Sequence, residues 1–442
     1  METVQFYTPR QRAVLQLLLL LSLLLLAGAA ATIPFLWEST SLWYKFGWDR
    51  TLLQTGKIAG LAAAVLLFLQ LTLASRTMLL DRVFGLDRVY YSHQINGFVI
   101  IAAVLLHVLL VIVPEGISNL PIGWKFWPEM LGAAIFFTLV PFVFLASVHK
   151  KLLSYHIWRR MHRFMGYLFL PALFIHILYV SDSFNQNVPR YSLFVFTGVI
   201  LGIVAGNKYR VIRQSLQKME IRSLQPLSDA IVQLETTRPS TFSYAPGQFA
   251  FLTLWSAKGR AEAHPFTIAS SPTNDDSLHF MIKKCGDWTS GITDTPFQYA
   301  TLEGPYGLFS YKANRTTDDI VFIAAGIGIT PMLSMLRMIA MEHDQPRTTL
   351  LWSLRRKKEM FLQQELDNLA DKISSFHLHL VYSREKNGGR INREMLRNHF
   401  DSIAKTGHYY ICGPPGMIQE TRRNLRDLGV PRKNIFQEKF SL

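Results

Sequence analysis

The chain has 442 residues, 49% hydrophobic and 17% charged, with a formal net charge of +15 and two cysteines, Cys285 and Cys412. So few cysteines exclude a disulfide framework or a cysteine-ligated cluster. The positive charge forms no basic stripe with interleaved aromatics, no zinc motif and no recognition helix, which excludes nucleic acid as a partner and leaves the lipid bilayer. The mean hydropathy of +0.17 averages two unlike halves. Residues 13–205 are dominated by Leu, Ile, Val, Ala and Phe, and the chain from 207 onward has the composition of a soluble protein.

Apolar runs lie at 13–36, 52–75, 90–113, 128–147, 164–180 and 191–206. Most approach the ~20 residues that a spanning helix needs. The first follows Arg10 and Arg12 and ends in small residues at 27–32, which is also the layout of a signal peptide. Its apolar stretch, Ala13 to Trp37, outruns a signal core, so a retained helix is expected. Thirteen Lys and Arg, among them Arg76, Arg82, Arg88, Lys150 and Lys151, flank the runs on one side, against Lys45, Arg50, Lys125 and Arg190 on the other. The positive-inside rule then places both termini and the soluble half in the cytosol. The compact loops suit a bacterial inner membrane.

The third run holds His93 and His107, and the fifth region holds His162 and His176. Fourteen residues of helix advance about 21 Å and return to within about 40° of the same face. Both runs start from the same side, so His93 matches His162 in depth and His107 matches His176. An ionisable group at such a depth is costly and points to function. Two neutral imidazoles on one iron give six-coordinate haem suited to electron transfer, so two haem b groups are expected, stacked across the bilayer. Phe169 lies midway between His162 and His176, either as a bridge or as plain packing. Arg159, Arg160 and Arg163 either neutralise haem propionates or anchor the helix. His149 and His156 fall off this pattern and are expected in a cytosolic loop or on the surface.

Beyond residue 215, IVQLETT, FAFLTLW and SLHFMIKKC alternate as strands of a small antiparallel barrel. Between and after them stand YAPGQF (244–249), HPFTIASSP (264–272), CGDWTSG (285–291) and LEGPYG (302–307). These phrases resemble the flavin domain of the ferredoxin-reductase superfamily. The form with His-Pro-Phe-Thr and Gly-Asp-Trp-Thr is similar to the membrane NADPH oxidase and ferric reductase families. The resemblance implies that His264, Pro265, Phe266 and Thr267 line the isoalloxazine and ribityl side of FAD. It also implies that Gly286, Trp288 and Thr289 lie where backbone donors meet the pyrophosphate. Glycine suits such a place because it lets backbone approach a phosphate closely, and the Thr267 hydroxyl suits a flavin heteroatom.

DIVFIAAGIGITPMLSML (319–335) is a strand, a glycine-rich turn and a helix. Gly326 and Gly328 relax the turn, Thr330 is expected to cap the helix and Pro331 suits its first turn. A dinucleotide pyrophosphate would meet that helix start. The pattern is G-x-G-x-x-P, unlike the Rossmann G-x-G-x-x-G. TTLLWSL, HLHLVYS and HYYICG follow at α/β spacing. The resemblance implies that Ser383 and Arg384 hold the 2′-phosphate of NADPH, with Arg355 a second candidate; NADPH is favoured and NADH is the alternative. It also places Cys412, Gly413 and Pro414 beside the nicotinamide, with Cys412 a polarisable neighbour of the hydride path and not a thiol nucleophile. Phe440 corresponds to a C-terminal aromatic that covers the flavin.

The expected architecture is a six-span α-helical membrane domain (1–214), an antiparallel β-barrel FAD domain (215–312) and an α/β nicotinamide-nucleotide domain (313–442). The expected activity is NAD(P)H oxidation in the cytosol with electrons passing through FAD and two haems to an outer acceptor. The Gly-Asp-Trp-Thr phrase favours dioxygen, giving superoxide, over ferric iron. Without calcium-binding repeats or long regulatory tails, no obligate activator subunit is expected. The alternative from another class is a membrane-anchored flavin reductase without haem, in which the four histidines are structural.

Overall fold

A computed structural model describes residues 6–116, 119–152, 154–257, 259–260, 262–273, 276–314, 319–386, 388–400 and 406–439. The described chain forms two compact units, one of residues 12–209 and one built on the chain from Arg210 onward.

The first unit is helical. Among the described residues six helices are long and apolar enough to cross a membrane. We number them α1 (Pro9–Leu36), α2 (Gly47–Ala74), α3 (Leu86–Glu115), α4 (Trp127–Leu152), α5 (Tyr155–Val180) and α6 (Asn187–Ser215). Apart from Ser75, which ends the second run just after α2, they contain the six apolar runs and extend beyond them. α5 takes in Arg159, Arg160 and Arg163, which the run 164–180 leaves out. Arg is a good helix former whose stem lies along apolar surface while its head reaches water, so a helix need not stop where its hydrophobicity does.

α3 starts at Gly85, whose φ of +85° suits glycine, and the Asp81 carboxylate accepts the Leu86 N–H at 3.0 Å. α2 and α3 are pinned by a buried polar group. Asn96 Nδ2 donates to the Leu66 carbonyl at 3.0 Å and to Gln70 Oε1 at 2.7 Å, and Gln70 Nε2 donates to the His93 carbonyl at 2.7 Å. In lipid such groups need partners inside the protein, and these side chains supply them to each other and to backbone oxygens. At the other end of α2 and α3, Tyr44, Trp48 and Trp124 are 83%, 81% and 90% exposed, as expected of an aromatic belt at a membrane–water boundary.

The second unit holds two sheets. The first is antiparallel, in the order β4-β3-β7-β1-β2-β6 with β5 on β3. Its strands are β1 (Met219–Ser228), β2 (Ile231–Thr237), β3 (Phe249–Ser256), β4 (Gly259–Arg260), β5 (His264–Thr267), β6 (Ser277–Lys283) and β7 (Phe297–Tyr306). A bridge from Ile268 to Phe280 ties the end of β5 to β6 and curls the sheet toward a barrel. Val232, Leu234, Leu252, Leu254, Leu278 and Phe280 fill it.

The second sheet is parallel, in the order β10-β9-β8-β11-β12. Its strands are β8 (Ile320–Ala325), β9 (Thr348–Leu354), β10 (Phe376–Tyr382), β11 (His408–Cys412) and β12 (Ile435–Glu438). α7 (Ile329–Ile339), α8 (Gln363–Lys372), α9 (Arg393–Phe400) and α10 (Pro415–Asp427) alternate with the strands. β8 and β9 are buried along nearly their whole length, as parallel strands covered on both faces should be. The strand order reverses between β8 and β11, and in such sheets ligands bind beyond the carboxyl ends of the strands at that reversal.

Candidate functional site

The four sequence-selected histidines fall at two levels of α3 and α5. The His93 and His162 rings lie with centroids 5.9 Å apart and planes at 68°. Two imidazoles bonded to one metal, at roughly 2 Å per bond, stand about 6 Å apart between ring centres. His93 Nδ1 is buried and has no hydrogen-bond partner among the described residues. The His162 ring sits between Phe142, at 5.3 Å and 21°, and Trp158, at 4.9 Å and 28°.

His107 and His176 lie within electrostatic reach of each other, and each is held by a neighbouring helix. His107 Nδ1 is 2.8 Å from the Gly56 carbonyl of α2, and His176 Nδ1 is 2.8 Å from the Pro128 carbonyl of α4. A carbonyl only accepts, so both Nδ1 atoms carry the proton and both Nε2 atoms keep a lone pair. The rings press on glycine. A Cβ on Gly60 would lie 2.7 Å from His107 Nδ1, and a Cβ on Gly132 would lie 2.4 Å from His176 Cε1.

Between the two levels lies an apolar layer of Ile100, Ile135, Leu139 and Phe169. Among the described residues no three or more His, Cys, Asp or Glu are grouped to hold a metal. Each level pairs two histidines, a donor set that would fit a metal bringing its other ligands with it, as a porphyrin does.

In the barrel, β3–β5 pairing sets Leu252 opposite His264 and Phe249 opposite Thr267. The His264 ring stacks on Trp288 at 4.4 Å and 20°, and Phe266 lies 6.1 Å from Trp288 at 26°. The structure thus joins the His-Pro-Phe-Thr and Gly-Asp-Trp-Thr phrases. Gly286, at φ +85°, precedes a single helical turn, Asp287–Ser290. Thr289 Oγ1 accepts the Cys285 N–H at 2.7 Å and donates to the Cys285 carbonyl at 2.6 Å. That hydroxyl closes the turn, which leaves the first N–H groups of the turn as its donors for an anion. In the Leu-Glu-Gly-Pro-Tyr-Gly phrase, the Tyr306 hydroxyl accepts from Arg210 at 2.8 Å and donates to Glu303 at 2.9 Å. Burial, then Glu303, hold its phenol well above the usual range, so it is a neutral strut.

In the parallel sheet the expected nucleotide residues gather at the carboxyl ends of four neighbouring strands. Gly326 and Gly328 lie in a 3-10 turn after β8, with Gly326 at φ +54°. α7 begins at Ile329, so Thr330 is inside the helix and is not its cap; its Oγ1 donates back to the Ile327 carbonyl at 2.5 Å. The 3-10 turn winds directly into α7 and leaves no extended residue for a capping side chain. Pro331 does fall in the first turn.

A Cβ on Gly328 would lie 2.4 Å from the Cys412 carbonyl oxygen, and one on Gly413 would lie 3.0 Å from Ala325 Cβ. The two loops therefore meet backbone to backbone at the reversal of strand order. Gly328→Ala should cost about 1–3 kcal/mol through overpacking. A lower temperature of FAD release from the full-length protein would show it; an unchanged release temperature would contradict this packing.

After β9 and β10, Ser383 N–H donates to the Leu354 carbonyl at 2.8 Å, and Arg384 N–H donates to the Arg355 carbonyl at 2.9 Å. Arg355 and Arg384 are thereby neighbours, both exposed, beside Ser383. Two guanidinium groups and a hydroxyl at one edge suit a phosphate monoester.

Cys412 is fully buried, and burial, then Glu438, push its thiol well above the usual range. Cys285 is exposed. Iodoacetamide at pH 8 should therefore label Cys285 and spare Cys412, as read by mass spectrometry of the native protein; rapid labelling of Cys412 would contradict a buried, protonated thiol. Phe440 lies outside the described residues, as do the side chains of His149 and His156. The sequence does not single out Gly60 and Gly132, or the Gln70–Asn96 pair. The one hint for the glycines is a small residue within an apolar helix, which marks close approach of a neighbour without naming it.

Comparison with known proteins follows the same division. Residues 59–173 match the ferric reductase like transmembrane component family, residues 216–323 an FAD-binding domain family, and residues 322–423 the oxidoreductase NAD-binding domain family. The reductase component of propane 2-monooxygenase from Mycolicibacterium smegmatis is 28% identical over 239 residues, covering 51% of this chain and 67% of its own length. Dual oxidase 2 of Rattus norvegicus is 22% identical over 367 residues, covering 69% of this chain, and the match spans only 24% of that much longer protein. Among solved structures, a ferredoxin NADP+ reductase from Neisseria gonorrhoeae aligns at 20% identity with a TM-score of 0.45, over 51% of this chain and 98% of its own. In this order the three matched segments give the chain a ferric reductase like transmembrane component, an FAD-binding domain and an oxidoreductase NAD-binding domain.

Proposed function

We propose that this chain is a member of the NADPH oxidase and ferric reductase family and carries electrons from cytosolic NADPH, by way of FAD and two b-type haems, to dioxygen at the outer face, where superoxide forms. The observation that carries the proposal is the pairing of His93 with His162 and of His107 with His176 at two levels of the same two helices. When bound, FAD takes two electrons as hydride and releases them singly, and the haems pass single electrons across the apolar layer.

The chain's own residues bind, orient and insulate. Arg355, Ser383 and Arg384 would take the 2′-phosphate of NADPH. The close-packed turns at Gly326–Gly328 and Cys412–Pro414 would take the pyrophosphate and the nicotinamide end. His264, Phe266 and Trp288 form an aromatic wall for the flavin, and Thr267 stands at the end of the same strand. His93 and His162 would hold the inner haem, and His107 and His176 the outer one. We divide the chain into a membrane domain (1–214), a flavin domain (215–312) and a nicotinamide domain (313–442), with both termini cytosolic and the membrane a bacterial inner one. No activator subunit is required in this reading.

A reduced-minus-oxidised visible spectrum of the purified protein, recorded anaerobically with NADPH as sole reductant, tests it. Flavin bleaching together with low-spin b-type bands, at about two haems per FAD, is the expected result. Flavin bleaching in a haem-supplemented sample that binds no haem would leave a membrane-anchored flavin reductase. A ferric complex is the second reading of the acceptor, favoured by the match of residues 59–173 to the ferric reductase like transmembrane component. Cytochrome c reduction sensitive to superoxide dismutase, measured against capture of ferrous iron from a ferric chelate, separates the two.

A further inference from the structure

Of the four histidines, His107 and His176 are held in a way that repeats on two separate helices. In each case the acceptor is the carbonyl of a residue i in the neighbouring helix, Gly56 in α2 and Pro128 in α4, and residue i+4 is glycine, Gly60 and Gly132. Helix geometry explains the glycine. Each Cα–Cβ bond tilts toward the helix N-terminus, so the Cβ of residue i+4 overhangs the carbonyl of residue i. That carbonyl already accepts the N–H of residue i+4 and has a second lone pair left. A ring can reach the second lone pair from the side only if nothing projects from position i+4. The distances fit: a Cβ at Gly60 would be 2.7 Å from His107 Nδ1 and 2.9 Å from its Cε1, and a Cβ at Gly132 would be 2.4 Å from His176 Cε1 and 2.8 Å from its Nδ1. Elsewhere in the membrane helices a Cβ on Gly28, Gly166 or Gly198 would meet nothing within 4 Å, and one on Gly56 would meet Leu110 and Val111 at 3.1 Å but no imidazole.

We propose that Gly60 and Gly132 are positioning residues, a matched pair of bare helix seats that let His107 and His176 donate Nδ1–H to a main-chain carbonyl and present Nε2 as a ligand. The inference rests on the haem reading above. A carbonyl on Nδ1 fixes the tautomer and the ring orientation and strengthens Nε2 as a donor, and loss of such outer partners typically weakens metal binding about 10- to 100-fold. The acceptors are main-chain atoms, which no side-chain substitution removes. The seat glycines are thus the positions through which sequence controls this contact.

The test compares wild type, Gly60→Ala, Gly132→Ala, His107→Ala and the control Gly198→Ala, each purified full-length in detergent. Haem per FAD, haem midpoint potentials and NADPH-driven flavin bleaching are measured on the same samples. Wild type and Gly198→Ala should hold about two haems per FAD. Each seat variant should either fall to about one, with the residual spectrum of His107→Ala, or keep two with one midpoint potential displaced. Flavin bleaching should be unchanged, which shows a folded protein. Two haems with both potentials as in wild type, in either seat variant, would overturn the proposal.

A second measurement needs no seat variant. In wild-type protein labelled with 15N in its imidazoles, His107 and His176 should each give an Nδ1–H resonance protected from solvent exchange, identified by its disappearance in His107→Ala or His176→Ala. Unprotected Nδ1 sites at both residues would overturn the seats. Wild type that binds no haem would instead sink the haem reading, and the Nδ1–H resonances of that haem-free protein would still decide the seats.

Discussion

His176→Ala should leave NADPH-driven flavin bleaching at the wild-type rate and reduce electron delivery to a membrane-impermeant outer acceptor by about 100-fold or more. The magnitude follows from the place of the residue. Its Nδ1 is held by the Pro128 carbonyl, and in the proposed reading its ring supplies one of the two protein donors to the outer haem. An alanine there offers no nitrogen, and a metal centre held from one side binds weakly and changes coordination. The nicotinamide and flavin residues lie in the other compact unit, so the first half of the reaction should be spared. Stopped-flow flavin absorbance reports the first half, and reduction of an impermeant dye by sealed, correctly oriented vesicles reports the second. Dye reduction near the wild-type rate would mean that electrons leave the flavin without the histidine pairs, which is the flavin-reductase alternative.

Arg384→Ala should raise the KM for NADPH by roughly 10- to 100-fold and leave the KM for NADH nearly unchanged. Hydrogen bonds to a charged group are worth about 1.5–3 kcal/mol, and each 1.4 kcal/mol is tenfold. The Arg384 main chain is fixed by its bond to the Arg355 carbonyl, so the substitution removes the guanidinium while the β9–β10 edge stays in register. Arg355→Ala should act in the same direction, and the double variant should favour NADH. Steady-state kinetics with each nucleotide in turn provide the check. An equal loss with both would assign Arg384 to the fold and leave NADPH selection without a residue.

The features legible in the sequence were those that a local rule controls. Hydropathy and length located all six membrane helices, because lipid demands apolar side chains over a fixed thickness. The phrases TTLLWSL and IVQLETT are β9 and β2, residue for residue, since strand patterning is a two-residue property. The fourteen-residue spacing matched the two histidine levels because a helix converts spacing into depth.

Features that depend on a partner were not legible. The fifth and sixth apolar runs are short, so extension past their polar flanks was open, but hydropathy could not fix the ends at Tyr155 and Ser215, where charged residues continue the helix. Thr330 has the chemistry of a cap, but a 3-10 turn arrives before it and removes the position. Thr289 is closed onto Cys285 by a bond four residues long that no motif announces. Gly60 and Gly132 look like any small residue in an apolar helix until the helix that leans on each is known.

The layer of Ile100, Ile135, Leu139 and Phe169 that separates the histidine levels has a consequence for the energetics of turnover. Its side chains offer no hydroxyl, amide or carboxylate along which a proton could hop. In the proposed reading an electron crosses that layer alone, so turnover would charge the membrane, making the cytosolic side more positive and the outer side more negative. A resting voltage that is negative inside assists that movement by about 2.3 kcal/mol per electron for each 100 mV. As turnover discharges the voltage, the assistance fades and then reverses, and sustained flux comes to depend on a separate path by which the cell returns positive charge outward or negative charge inward.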